Sequence, residues 1–189
     1  MEEKDYNESK LKSISEKIYK LCQISKMLVV IYGILQLIIL IALNNNVTLY
    51  YTENSRIIDK YLYKKFCDYG SMSEINMYFG TSIVSVILIF AILKFAEDVF
   101  ERINITLRPF EEKNIKDMIL IARLMITCSF APSIAGSIFA IISASHYCEN
   151  MQIKVSVELS VLFVGVIVYC IAEVFKYGYN LQNESDETI

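Results

Sequence analysis

Four long apolar segments interrupt this chain of 189 residues, and they constrain its fold more than any other feature. The first reads MLVVIYGILQLIILIAL, from Met27 to Leu43, without a charged side chain. A helix of about 20 apolar residues crosses a hydrocarbon layer of about 30 Å. The pattern therefore predicts four membrane-spanning helices, at residues 24–44, 78–100, 117–145 and 153–178.

The predicted fold is an all-α integral membrane four-helix bundle, a single membrane domain over residues 1–189. The spans leave residues 45–77 as an outer loop and residues 101–116 as an inner loop. We expect the first span to be retained and not cleaved as a signal peptide, because acidic residues precede it and no small-residue cleavage site follows.

Lysine and arginine residues beside the spans predict the orientation, since they concentrate on the cytoplasmic side of a membrane. Residues 1–26 contain Lys4, Lys10, Lys12, Lys17, Lys20 and Lys26, and the inner loop contains Arg102, Arg108, Lys113 and Lys116. The opposite side carries fewer, at Arg56, Lys60, Lys64, Lys65 and Lys154. Both termini are therefore predicted to be cytoplasmic, in a multi-pass protein of the cell membrane.

The stretch before the first span has the pattern of an amphipathic helix. Its apolar residues recur at spacings of three and four, at Leu11, Ile14, Ile18, Leu21 and Ile24. Two interpretations stay open: a helix lying along the inner membrane surface, or a cytosolic extension of the first spanning helix.

The outer loop is rich in tyrosine, a residue that favours the membrane interface. Cys67 lies in this loop and Cys148 in the second outer loop, so a disulfide between them is possible and a reducing environment would prevent it. The remaining cysteines and the only histidine show no metal-binding spacing. We therefore predict no metal site and no cofactor.

A cluster of charged residues is predicted at the cytoplasmic ends of the spans: Lys94, Asp98, Arg123, Glu173 and Lys176. Lys94 and Asp98 are four residues apart on one helix and can pair. Arg123 and Glu173 lie at similar depth in the third and fourth spans. They either mark where helices leave the membrane or form an ionic latch between helix ends.

Glu158 is predicted about one turn inside the outer end of the fourth span, where a carboxyl group suggests a functional site. A polar outer pocket would combine Glu158 with Ser85, Ser156, Ser160 and His146. It would take a small ligand, an ion or a proton. The alternative is that Glu158 pairs with Lys154 or sits at the lipid boundary.

Small residues and a proline mark the third span. Gly136 and Ala140 are four residues apart, which lets helix backbones approach closely. Pro132 removes a backbone donor and predicts a kink in this helix. Close packing is one interpretation of these residues, and a hinge that moves on ligand binding is the other.

Two blocks of sequence resemble the bacterial membrane protein family known as domain of unknown function 2975. They are RPFEEKNIKDMILIAR, from Arg108 to Arg123, and AEVFKYGYNLQNESDETI, from Ala172 to Ile189. The matching residues are Pro109, Phe110, Asn114, Ala172, Glu173, Phe175, Gly178, Leu181, Gln182, Glu184, Asp186 and Thr188. Genes of this family often lie beside small helix-turn-helix regulators, so the resemblance implies membrane signalling.

The expected function is that of a non-enzymatic membrane sensor or regulator. No catalytic motif or plausible catalytic triad is present, and a net charge of −3 gives no field for direct nucleic acid binding. The candidate partner-binding tail comprises Leu181, Gln182, Glu184, Asp186 and Thr188. Expected partners are the lipid bilayer, a small cytoplasmic helix-turn-helix regulator and a possible second copy. A transporter or its accessory subunit, and an immunity protein against a peptide toxin, are the alternatives.

Overall fold

The computed structural model describes residues 2–44, 72–147 and 155–187, and these residues form five helices and no strand. The helices are α1, Glu2–Asn44; α2, Met72–Thr106; α3, Glu112–Cys128; α4, Ala131–Tyr147; and α5, Leu159–Glu187. The prediction of an all-α fold is confirmed for this part of the chain. The Tyr-rich loop, Cys67, Cys148 and Thr188 lie outside the described residues.

Three of these helices contain segments long and apolar enough to cross a membrane. They are Ser9–Ile41 in α1, Ile75–Thr106 in α2 and Leu159–Glu184 in α5. The pair Glu112–Cys128 and Ala131–Ser143 adds a fourth if it forms one broken span. These helices support the prediction of a membrane protein, while the number of spans and the orientation stay predictions.

The length of helix α1 shows which of the two interpretations of the N-terminal stretch is correct. It is one uninterrupted helix of 43 residues. At about 1.5 Å per residue it is about 64 Å long, roughly twice the thickness of the hydrocarbon layer. The amphipathic stretch is therefore an extension of the first spanning helix, and it does not form a separate helix along the membrane surface.

The predicted kink in the third span is a break, because α3 ends at Cys128 and α4 begins at Ala131. Pro132 has no backbone N–H and fits only the first turn of a helix, so it begins a new helix here. Ser129 closes the end of α3: its hydroxyl donates to the carbonyl oxygen of Ile126 at 2.6 Å. The carbonyl oxygen of Ser129 accepts a hydrogen bond from the backbone N–H of Glu158 at 2.9 Å.

The chain divides into two compact units, each built from parts of several helices. The first unit comprises residues 1–30, 87–129 and 158–189, and the second comprises residues 31–86 and 130–157. The first unit contains the polar N-terminal extension of α1, the polar end of α2, and helices α3 and α5. The second contains the remaining parts of α1 and α2, with α4.

Within the second unit, α2 and α4 pack closely through glycine. A Cβ atom added at Gly136 would overlap Thr81 Oγ1 and lie 2.7 Å from the carbonyl oxygen of Met77. One added at Gly80 would lie 2.7 Å from the ring of Phe139. This geometry supports the close-packing interpretation of the small residues in the third span.

Substituting Gly136→Ala is therefore expected to lower the free energy of unfolding by about 2–3 kcal/mol, because the backbone of Met77 cannot move without shifting α2. The matched control is Gly178→Ala, where the new Cβ would lie 3.6 Å from the Phe110 ring, an ordinary contact. That control should be neutral or slightly stabilising, since alanine favours helix over glycine. Thermal unfolding in detergent micelles measures both, and equal melting temperatures would contradict the expectation.

Candidate functional site

The candidate site is a set of buried polar contacts that join helices within the first unit. Its residues are Lys26, Glu97, Arg102, Asn114 and Asp117, and we call them the polar junction. Each lies where the apolar part of a helix gives way to its polar end.

The first contact joins α1 to α2. Lys26 Nζ donates a hydrogen bond to Glu97 Oε2, and the two side chains are 24% and 9% exposed. A carboxylate that is removed from water requires such partners, because burial of an unpaired charge is very unfavourable. The pair therefore ties the polar extension of α1 to the polar end of α2.

The second contact joins α2 to α3 through Arg102. Its Nε donates to Asn114 Oδ1 at 2.8 Å, and its terminal nitrogen pairs with Asp117 Oδ2. The Arg102 and Asp117 side chains are largely buried. A guanidinium group that binds two acceptors at once fixes their relative geometry as well as their charge.

Asn114 is fully buried, and its side chain also holds the turn between α2 and α3. Its Nδ2 donates to the carbonyl oxygens of Arg108 at 3.3 Å and Pro109 at 3.4 Å. The turn begins at Leu107, a non-glycine residue with a φ of 56°. Such a backbone is unfavourable and persists where surrounding contacts hold it. The connection between α2 and α3, residues 107–111, is shorter than the predicted inner loop of residues 101–116.

The same turn packs against α5, so the two sequence blocks that suggested a family meet in space. The rings of Phe110 and Phe175 have centroids 4.9 Å apart, and Gly178 lies beside Phe110. Ala172 is completely buried. Helices α3 and α5 are in direct contact. The second block therefore packs against the turn between α2 and α3, and it also forms the tail.

The predicted ionic cluster is arranged differently from the proposed latch. Lys94 pairs with Asp98 at 3.7 Å and Lys176 with Glu173 at 3.6 Å, each within a single helix. Arg123 is exposed and makes no ion pair among the described residues. The prediction of a latch between Arg123 and Glu173 is therefore wrong. The pairs found instead are exposed and lie within single helices, where each contributes only about 0.3–0.5 kcal/mol to stability.

Sequence reasoning missed the pairs that do join helices. Lys26 served only to predict the orientation of the chain. It lies beside the first apolar run, at that run's polar end, and Glu97 lies at the polar end of the second run. Their similar depth relative to the apolar runs was the sequence signal that could have predicted this pair. Arg102 and Asp117 offered none, because rotation about each helix axis decides whether they meet.

The residues of the predicted outer pocket have local roles. Glu158 is exposed and precedes α5, so it does not lie one turn inside that helix. Ser85 donates to the carbonyl oxygen of Thr81 at 2.9 Å in its own helix. The backbone N–H of Ser156 donates to Ser133 Oγ at 2.8 Å, and Ser160 is exposed. His146 lies in α4.

The candidate tail is helical. Helix α5 continues through Gly178 to Glu187, beyond the predicted end of the fourth span at residue 178. Leu181 and Gln182 are exposed, and Asp186 lies in the last turn. The tail is thus an extension of α5 that begins at the packed pair of phenylalanines.

Comparison with known proteins places these features in a family. The model of a family described as "Protein of unknown function (DUF2975)" matches residues 18–189. The match includes the polar junction, the turn and α5, and it extends beyond the two blocks into α1. No curated protein and no solved structure matches the chain. Because the family model covers nearly the whole sequence, the chain belongs to the DUF2975 family of proteins of unknown function.

Proposed function

We propose that this protein is a non-enzymatic sensor or regulator of the bacterial cell membrane that binds a small helix-turn-helix transcription regulator through its first unit. The observation that carries the proposal is the helical extension of α5. It is exposed at Leu181 and Gln182 and seated on the turn by Phe110 and Phe175. An exposed helix on a fixed base suits the binding of another protein.

The orientation of the first unit supports a cytoplasmic partner. Its polar ends carry the lysine and arginine residues that favour the cytoplasmic side. In this proposal both termini are cytoplasmic. No reaction is assigned to the chain, because its sequence offers no catalytic motif.

The polar junction supplies a route by which a change in the membrane could reach the extension. Lys26 joins α1 to α2, and Arg102 joins α2 to α3. Asn114 then holds the turn on which α5 is seated. A stimulus that favours another packing of these helices would move the base of the extension, and a partner that binds one arrangement would sense the shift.

Deletion of residues 181–189 tests this function. The full-length protein in lipid nanodiscs should retain the purified helix-turn-helix protein encoded beside its gene, and the deletion should weaken that binding by about tenfold or more. The control replaces residues 181–189 with an alanine-rich helical segment of equal length. Undiminished binding by the deleted protein would contradict the proposal. Binding by the control would assign the effect to helix length alone.

A further inference from the structure

Helix α3 carries one charged side chain inside its apolar part. Residues 118–128 read MILIARLMITC, and Arg123 is the only charge among them. This part of α3 belongs to the pair of helices that could form a broken span. A guanidinium group at such a position is unfavourable in hydrocarbon unless an anion or water reaches it.

The first unit does not supply that anion from its interior. Ala122 is completely buried, and Ile126 lies against Gly165 of α5, so these residues mark the inward side of α3. Arg123 lies on the opposite side and is exposed. It makes no ion pair with any residue that the structure describes.

The carboxylates of α3 are matched by other cations. Glu112 pairs with Lys116 at 2.6 Å within the helix. Asp117 pairs with Arg102 of α2. The charge of Arg123 is therefore the one on this helix face that calls for an anion, and a guanidinium group binds a phosphate through two parallel hydrogen bonds.

Helix geometry directs Arg123 toward the polar start of α3. The Cα–Cβ bonds of a helix tilt toward its N-terminus, so a long side chain covers the turn before its own Cα. Lys116 lies on the same face seven residues earlier, about 10.5 Å along the axis. A guanidinium group that extends in this direction leaves the hydrocarbon for the level of the lipid headgroups.

We propose that Arg123 binds the phosphate of an anionic phospholipid, in the leaflet that faces the start of α3. The acyl chains would cover the apolar residues around Arg123, and the phosphate would lie at the level that its guanidinium reaches. Phosphatidylglycerol fits better than phosphatidylcholine, because a choline group would bring another positive charge beside Arg123 and Lys116.

This site is separate from the proposed regulator and holds for either orientation of the chain. It depends on the charge, exposure and direction of Arg123, whereas the regulator is proposed to bind the extension of α5. Loss of one would leave the other experiment unaffected, because the two experiments measure the binding of different molecules.

Lipid titration of the full-length protein in neutral detergent micelles tests the site. Short-chain phosphatidylglycerol or phosphatidylcholine is added while thermal unfolding is followed, since a ligand of the folded state raises the melting temperature. We expect the parent protein to bind phosphatidylglycerol about tenfold more tightly than phosphatidylcholine, and Arg123→Gln to remove this preference. Arg123→Lys should retain part of it, because lysine keeps the charge without the two parallel bonds.

The matched control is Lys94→Gln, which removes an exposed cation that already pairs with Asp98 on its own helix. Its affinity for phosphatidylglycerol should change by less than about twofold. Without added lipid, Arg123→Gln should unfold at the parent temperature, because Arg123 has no ion-pair partner among the described residues.

Four results would overturn the proposal. The first is an unchanged preference for phosphatidylglycerol in Arg123→Gln, and the second is an equal loss in Lys94→Gln. The third is a temperature shift with soluble glycerol phosphate that equals the shift with phosphatidylglycerol, which would assign a phosphate site without lipid. The fourth is a change in the monomer–dimer distribution of Arg123→Gln in lipid-free micelles, which would assign the arginine to a contact with a second copy.

Discussion

Lys26→Met is expected to lower the free energy of unfolding by about 2–4 kcal/mol. The substitution leaves the buried Glu97 carboxylate without its cationic partner, and an uncompensated buried charge costs about 3–5 kcal/mol. We place the loss toward the lower end of this range because Lys26 is 24% exposed and water can approach the site. Reversible unfolding in mixed micelles, followed by circular dichroism, measures the change.

The matched control for this substitution is Lys94→Met. Lys94 also pairs with a carboxylate on α2, but its side chain is 54% exposed and its partner Asp98 is 33% exposed. That variant should change stability by less than about 0.5 kcal/mol. In the double variant Lys26→Met with Glu97→Gln, most of the lost stability should return, because no buried charge is left alone. A loss that is equal for Lys26→Met and Lys94→Met would refute a structural role for the buried pair.

Asn114→Ala is expected to destabilise the protein by about 2–4 kcal/mol. It removes the Nδ2 donor to the carbonyl oxygens of Arg108 and Pro109 and the Oδ1 acceptor for Arg102. Each buried polar group left without a partner costs about 1–3 kcal/mol. The turn should also open locally, so trypsin should cleave at Arg108 faster than in the parent protein. Timed proteolysis in inside-out vesicles measures this second effect.

Asn114→Asp separates the two roles of this side chain. The carboxylate keeps an acceptor for Arg102 but offers no donor to the two carbonyl oxygens, so α2 and α3 stay joined while the turn is released. Fast cleavage at Arg108 with a smaller loss of global stability is the expected result. Cleavage at the parent rate would show that Asn114 does not hold the turn.

These two sites have a common consequence for the proposed function. Both lie on the set of contacts that runs from α1 to the base of the α5 extension. Variants of Lys26 and Asn114 that still fold should therefore alter binding of a partner at the extension without touching its surface. Substitution of the exposed Lys94 should leave binding of the partner unchanged.

Much of the fold could be predicted from residue order alone. Apolar runs such as Met27–Leu43 indicate spanning helices because transfer into lipid depends on the local sum of side-chain hydrophobicity. Proline at 109 and at 132 marks helix boundaries because its missing N–H acts within one turn.

Side-chain partners could not be predicted in the same way. Whether Arg123 or Lys176 meets Glu173 depends on the rotation of each helix and on its contacts with neighbours, which no local pattern records. The burial of Asn114 likewise depends on three segments that converge around it. Glu158 was assigned to the interior of a span because hydropathy does not locate the first residue of a helix.

The sequence by itself determined that this protein is helical, that its helices are long and apolar enough to span a membrane and that it belongs to its family, since each depends on local composition and motif. The tertiary structure alone decided which charges are buried and paired, as with Lys26 and Glu97. It also decided which apolar side chains are exposed in the single chain, as Leu21 on α1 and Leu181 on α5 are. The physical reason is that pairing and exposure are relations between distant segments, set by the packing of the helices.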